Sequence, residues 1–163
     1  MKNIKWLYIL IASVFIFSCK SSEKSINTTS AYLNFETQFV KQESFGTDCY
    51  KIYVSGDSKK ECIKKAKLEL IKSILFTGVH TAPNPKPLVP EVNAIEKYSG
   101  FFNSFLRESG QFSEFVSLHK GGKIDENDRM KTGERKLMGV ELLVNTIKLK
   151  DYLESVGVIK KQF

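Results

Sequence analysis

Apolar and polar positions along this chain alternate with two different periods, and the switches between them mark the elements. Between Ala31 and Val40 the apolar residues Tyr32, Phe35 and Phe39 recur loosely, which predicts a first strand; Ser44-Phe45-Gly46-Thr47-Asp48 then offers a turn. A clearer strand follows from Cys49 to Ser55. Tyr50, Ile52 and Val54 share one face and Lys51, Tyr53 and Ser55 the other, as expected in a hairpin covered by helices on one side only. At Ser58-Lys59-Lys60-Glu61 the pattern changes to a capping box, and Ile63, Ala66, Leu70, Ile71, Ile74 and Leu75 continue at steps of three and four. A helix over 58–77 is predicted, with its lysines in water and Gly78 closing it.

All four prolines, Pro83, Pro85, Pro87 and Pro90, fall within eight positions and impose an extended segment. Such a segment serves as a stiff connector between helices or as a docking surface with open carbonyls. Pro90-Glu91 then opens a helix over 91–108, with Ile95, Tyr98, Phe102, Phe105 and Leu106 on one stripe and Phe101 beside it. These aromatics fit either core or the wall of a ligand pocket, core being the commoner use. Phe112, Phe115, Val116 and Leu118 suggest a third strand before a turn at Gly121-Gly122. Leu137, Val140, Leu142, Leu143 and Val144 make 135–145 the longest apolar strand and the candidate for the sheet centre. A last helix is expected over 147–156, with Leu149, Leu153 and Val156 inward. Gly157 ends it, and Val158-Ile159 pins the terminus. The order predicts one α+β domain over 31–163: an antiparallel or mixed sheet of about four strands packed against two to three helices.

Composition adds an anchor to this picture. The chain has 163 residues, 42% of them hydrophobic and 26% charged, which sets aside collagen-like, fully disordered and multi-span classes. Lys2 and Lys5 precede an apolar run from Trp6 to Phe17, too short to span a bilayer stably and ending at Ser18-Cys19. Residues 1–18 therefore read as a signal peptide. Ile16-Phe17-Ser18-Cys19 resembles a bacterial lipobox, which implies acylation of Cys19 and anchoring by two or three acyl chains. Residues 19–30 hold one apolar residue, Ile26, among polar ones after the cysteine and read as a flexible tether. Lys20 replaces the aspartate that resembles an inner-membrane retention signal, so the outer membrane is expected; the periplasmic side is the favoured orientation, with the cell surface left open. The net charge of +7 shrinks once the signal lysines are removed, and nothing in the lysine pattern asks for nucleic acid.

Candidate chemistry is sparse. Cys49 and Cys62 sit in an oxidising compartment, but the strand between them separates their ends, so two buried free thiols are expected over a disulfide. His80 and His119 show no ligand spacing with each other or with either cysteine, so neither a metal nor a cofactor is expected. For the same reason no cysteine nucleophile is paired with a histidine. Asp125-Glu126-Asn127-Asp128 lacks the glycine and the terminal glutamate of a calcium loop. There is no phosphate-binding glycine loop, GxSxG, HExxH or SxxK. An enzyme would need convergent polar groups, for which Glu91 with Glu96, Asp125 with Asp128, or His119 with Asp125 or Asp128, are the available sets.

Ala66-Lys67, Leu75-Phe76-Thr77-Gly78, Phe101-Phe102, Phe115-Val116-Ser117, Asp128-Arg129-Met130-Lys131-Thr132-Gly133 and the tail 153–160 together resemble small outer-membrane lipoproteins of Bacteroidota. The unit of strand, Gly-Asp and lysine-bearing helix is also similar to a flagellar-assembly type of lipoprotein domain. The resemblance implies a non-catalytic accessory subunit of an envelope complex, such as a secretion apparatus. It would be held to the membrane by its acyl chains and bound to an envelope protein. The expected contact surfaces are Pro83, Pro85, Pro87 and Pro90, and the loop 121–134 with Arg129 and Lys131. A small-ligand binder using the aromatic stripe is the alternative, and an enzyme the third.

Overall fold

The computed structural model of the chain describes residues 24–25, 37–132 and 135–161. Strands β1 (Lys24–Ser25), β2 (Thr37–Ser44), β3 (Thr47–Ser55), β4 (Val116–Leu118), β5 (Arg129–Thr132) and β6 (Arg135–Asn145) form one sheet. Helices α1 (Lys59–Lys72), α2 (Ala94–Lys97), α3 (Ser99–Phe105) and α4 (Thr146–Ser155) complete an α+β fold. β6 is central, as its apolar run predicts. It pairs antiparallel with β3 along nine positions from Thr47↔Asn145 to Ser55↔Leu137. Its other edge is shared end to end by β4, opposite 142–144, and β5, opposite 135–138.

The hairpin β2–β3 turns at Phe45-Gly46, with Gly46 at φ +72° and no room for a Cβ against Ile147. β2 forms the outer edge, and two irregularities in its register, together with Lys41 and Glu43, blunt it against pairing with another chain. Ser58 caps α1 by accepting from the Glu61 N–H at 3.2 Å, and the Glu61 carboxylate accepts from the Asp57 N–H at 3.0 Å. The helix widens into a π-helical turn over Ser73–Thr77 before Gly78. α4 ends in a Schellman motif: the Val158 N–H donates to the Leu153 carbonyl and the Gly157 N–H to that of Glu154. Val158 is thereby buried.

The core lies between the helices and one sheet face. Ile52, Val54, Val140, Leu142 and Val144 meet Leu70, Ile71 and Leu75 of the long helix and Leu149 and Leu153 of α4. At about 25 cal/mol per Å² of apolar surface removed from water, this is the dominant stabilising contribution. Cys49 and Cys62 are free and buried.

Several expectations need correction. The helix over 91–108 is two short helices, because Tyr98 departs from helical geometry (φ −111°, ψ 33°) and weak helix formers, Ser99 and Gly100, follow. The break turns Ile95 outward, and Ala94 is buried instead. Val156 likewise lies on the exposed side. Phe112 and Phe115 belong not to a strand but to a 3-10 turn at Gln111–Glu114 and its cap, whose three-residue period their spacing fits. The strand itself is only Val116–Leu118. The loop expected over 121–134 contains β5. Of the tether expected over 19–30, only Lys24 and Ser25 are among the described residues, paired parallel with Met130 and Lys131.

Candidate functional site

Two places on the fold gather chemistry. The first is the sheet face turned away from the helices, where strand alternation puts Cys49, Lys51 and Tyr53 of β3 beside Gly139 and Glu141 of β6. Residues 119–128 fold across this face instead of leaving it to water. Lys120 and Gly121, both at positive φ, turn the chain so that His119 is buried on it. The His119 Nδ1–H donates to Glu141 Oε2 at 2.9 Å. Lys51 Nζ reaches Asp128 Oδ2 at 2.8 Å and Glu141 Oε1 at 3.3 Å, and the Tyr53 hydroxyl donates to Asp128 Oδ1 at 2.9 Å. Gly139 permits this approach, because a Cβ there would stand 2.8 Å from the Tyr53 ring and 2.9 Å from Asp128 Cβ.

The charges in this network sustain one another. The His119 hydrogen bond holds the Glu141 carboxyl below its usual range against the opposing effect of burial, helped by Lys51 and Lys120. Burial pulls Lys51 down, yet Asp128 and Glu141 outweigh it and hold the ammonium above its ordinary value. The Cys49 thiol is pushed up, first by burial and then by the charges of Glu141 and Glu43, so it stays protonated at neutral pH. The fold thus corrects the expectation that nothing places His119 near Cys49. Donor atoms of Cys49, His119 and Glu141 all lie within 4.8 Å of one another. His119 and Asp128, expected to converge only in an enzyme, join one network through Lys51 and Glu141. Asp125 stays apart, capping its own turn by accepting from the Asn127 N–H at 2.9 Å. The sequence missed this site because its members come from three segments far apart in the chain, brought together by strand register. Its one advance sign was a cysteine alternating with polar rather than apolar residues.

The second place is a groove of about 690 Å³ between the proline segment and the carboxyl-terminal segment. Pro87, Leu88, Val89 and Pro90 form one side, Gly157, Val158 and Ile159 the other, and Tyr98 also lines it. The proline segment is fixed to the end of the long helix: the Leu88 N–H donates to the Ile74 carbonyl at 3.0 Å and the Val89 N–H to that of Leu75 at 2.9 Å. Lys86, Lys97, Lys150 and Lys160 surround the groove, against one acidic residue, Glu91, which accepts from Lys97 at 2.8 Å. Val92 and Ile95, next along the same segment, are 97% and 54% exposed.

The expected contact residues do not share one surface. Pro87 and Pro90 line the groove, while Pro83 lines a smaller adjoining hollow and Pro85 is exposed with it. Arg129 and Lys131 are exposed on β5, on the other side of the molecule's sheet order from the β2 edge. The Arg129 guanidinium donates to the Ile124 carbonyl at 3.2 Å and, with Lys59 and Lys136, lines a shallow basic hollow. Cys19 lies outside the described residues. The aromatic stripe is core: Phe101 stacks on Phe105 with ring centroids 5.1 Å apart, Phe105 stacks on Tyr152 at 5.8 Å, and Phe76 meets Phe102 edge-on. Of the stripe, Tyr98 faces the groove. Of the expected pair Glu91 and Glu96, Glu91 is engaged by Lys97 at 2.8 Å. Among the described residues, no helix is long and apolar enough to cross a membrane. No family model, no curated protein and no solved structure matches the chain.

Proposed function

We propose that this is a non-catalytic lipoprotein, anchored through acylated Cys19 to the outer membrane, that binds a protein partner of a cell-envelope complex. The observation that carries the reading is the groove: an apolar trough beside an extended, backbone-rich proline segment, ringed by four lysines against one glutamate. Val92 and Ile95, both exposed, lie close in the chain to the groove-lining Glu91, Lys97 and Tyr98. The occupant it fits is an extended, acid-rich segment of a partner protein. Its alternate side chains would enter the trough and its carboxylates would meet the lysines. The pairing of Lys24–Ser25 with β5 supports the anchoring half, because it brings the chain five residues after Cys19 onto the edge that carries Arg129 and Lys131. That edge would then face anionic headgroups.

A fluorescent peptide alternating aspartate with leucine, titrated into the detergent-solubilised full chain, tests the groove. It should bind, and Lys86→Glu with Lys160→Glu should weaken it at least tenfold, while its lysine-for-aspartate counterpart should not bind. Equal affinity for both peptides, or indifference to the charge reversals, sinks the groove reading. For the anchor, Cys19→Ala should abolish metabolic labelling with fatty acid and release the protein from membranes. Continued labelling of that variant would refute acylation at Cys19.

A further inference from the structure

Cys49 is a buried cysteine in the wrong surroundings for a packing residue. A structural free cysteine behaves as a small hydrophobe and sits among apolar side chains, as Cys62 does within the main core cluster. Cys49 is 0% exposed yet lies on the opposite sheet face, outside that cluster, beside an imidazole and two carboxylates. We propose that Cys49, His119 and Glu141 form a binding site for a zinc-class divalent transition-metal ion.

The donor set is what such an ion takes: one thiolate sulfur, one imidazole nitrogen and one carboxylate oxygen. A thiolate with an imidazole selects zinc, cobalt or copper over magnesium and calcium, which prefer oxygen alone. Tetrahedral coordination with bonds of ~2.0–2.3 Å places donor atoms about 3.3–3.7 Å apart. The three donors here already lie within 4.8 Å of one another, and the His119 and Glu141 atoms are 2.9 Å apart, so small side-chain rotations close the set without moving a strand. Their backbones are fixed on β3, on β6 and in the turn that crosses both. Supporting groups are in place too. Glu43 stands 3.7 Å from His119 Nε2, positioned to take the second ring N–H, and Lys51 holds the other oxygen of Glu141 at 3.3 Å. On binding, the sulfur–hydrogen bond of Cys49 breaks, its proton leaves to solvent and a sulfur–metal bond forms; His119 ligates through Nδ1 as the neutral tautomer whose proton sits on Nε2, facing Glu43, with no change of oxidation state. A water completes the fourth position. The groove and hollows described above are also lined by other residues.

The site stands independently of the groove, and its test uses metal alone. The full chain, reduced and stripped with a chelator, is titrated with cobalt(II) and then zinc, with a chromophoric competitor to read affinity. One equivalent of cobalt should give a thiolate-to-metal charge-transfer band with tetrahedral ligand-field bands, and zinc should bleach them. Cys49→Ser should lose the charge-transfer band. His119→Ala and Glu141→Gln should each weaken zinc by more than the ~10–100-fold that loss of a supporting partner costs. Cys62→Ser and Cys19→Ala should leave the spectrum unchanged. The site is refuted if no charge-transfer band forms, or if the band survives Cys49→Ser and vanishes in Cys62→Ser or Cys19→Ala. Should Cys49→Ser fail to fold, X-ray absorption of the wild-type zinc form decides. One sulfur with nitrogen and oxygen neighbours upholds the site; a shell of oxygen and nitrogen alone overturns it.

Discussion

Replacing Gly78 with alanine strikes the point where the long helix, the proline segment and the groove meet. Gly78 sits at φ +75°, ψ 172°, a region only glycine populates readily, and forcing a residue with a Cβ there costs about 1–3 kcal/mol. The added methyl would also stand 1.9 Å from the Pro85 carbonyl oxygen, well inside contact distance, so residues 85–86 must shift by about an ångström or more. That shift pulls on the two backbone hydrogen bonds from Leu88 and Val89 to the helix end, each worth about 0.5–1.5 kcal/mol. The expected total is roughly 2–6 kcal/mol, read as a lower guanidinium midpoint by far-UV circular dichroism, with weaker binding of the acidic peptide. Gly100→Ala is the control. Its Cβ meets nothing within 4 Å and sits in a helix, so it should stabilise by about 0.5–1 kcal/mol. A Gly78→Ala variant within about 0.5 kcal/mol of wild type that still binds the peptide would refute this account of how the proline segment is held.

The remaining predictions concern the sheet and its caps. Asn145→Ala removes the side-chain oxygen that accepts from the Lys148 N–H at 2.9 Å at the start of α4, and should cost about 1 kcal/mol in denaturant unfolding. Glu141 is held below its ordinary value by His119, Lys51 and Lys120, so its share of stability is present above its unfolded pKa of about 4.3 and is lost as pH falls through the lower folded value. With chelator present, melting temperature should therefore decline from about pH 5 downward, and Glu141→Gln should flatten that decline; an unchanged acid limb would argue against the network. Gly139→Ala inserts a methyl between Tyr53 and Asp128 and should destabilise by about 1–3 kcal/mol; parity with wild type would show that the two side chains are not held as described.

The sequence carried the parts of the fold that have a strict period. The two-residue alternation of Tyr50, Ile52 and Val54 and the capping box at Ser58 stand where they were expected, as does the apolar run of β6. Where helices are short, the pattern misleads, because Tyr98 can break a stripe without proline or glycine at the break itself. The three-residue spacing of Phe112 and Phe115 does not distinguish a 3-10 turn from an irregular strand. β5 escaped notice because Arg129-Met130-Lys131-Thr132 has a single apolar residue; it is a strand by pairing with β6 rather than by propensity. The proline segment was legible as extended, but its groove depends on the carboxyl-terminal Val158 and Ile159 arriving opposite, which no local rule encodes. The site at Cys49 is the extreme case. Its three donors are separated by tens of residues, and only the register that sets Cys49 beside Leu143 puts Glu141 and His119 within reach.

Position-resolved photocrosslinking in native envelopes tests the proposed role most directly. A photoreactive residue at Val92 or Ile95, exposed and flanked in the chain by the groove-lining Glu91 and Lys97, should give one discrete adduct with an acid-rich envelope protein. Lys86→Glu with Lys160→Glu should abolish it, and the same probe at Lys60, on the wet face of the long helix, should give none. Adducts at Lys60 but not at Val92 or Ile95, or a protein recovered only as free monomer from all three positions, would contradict the account.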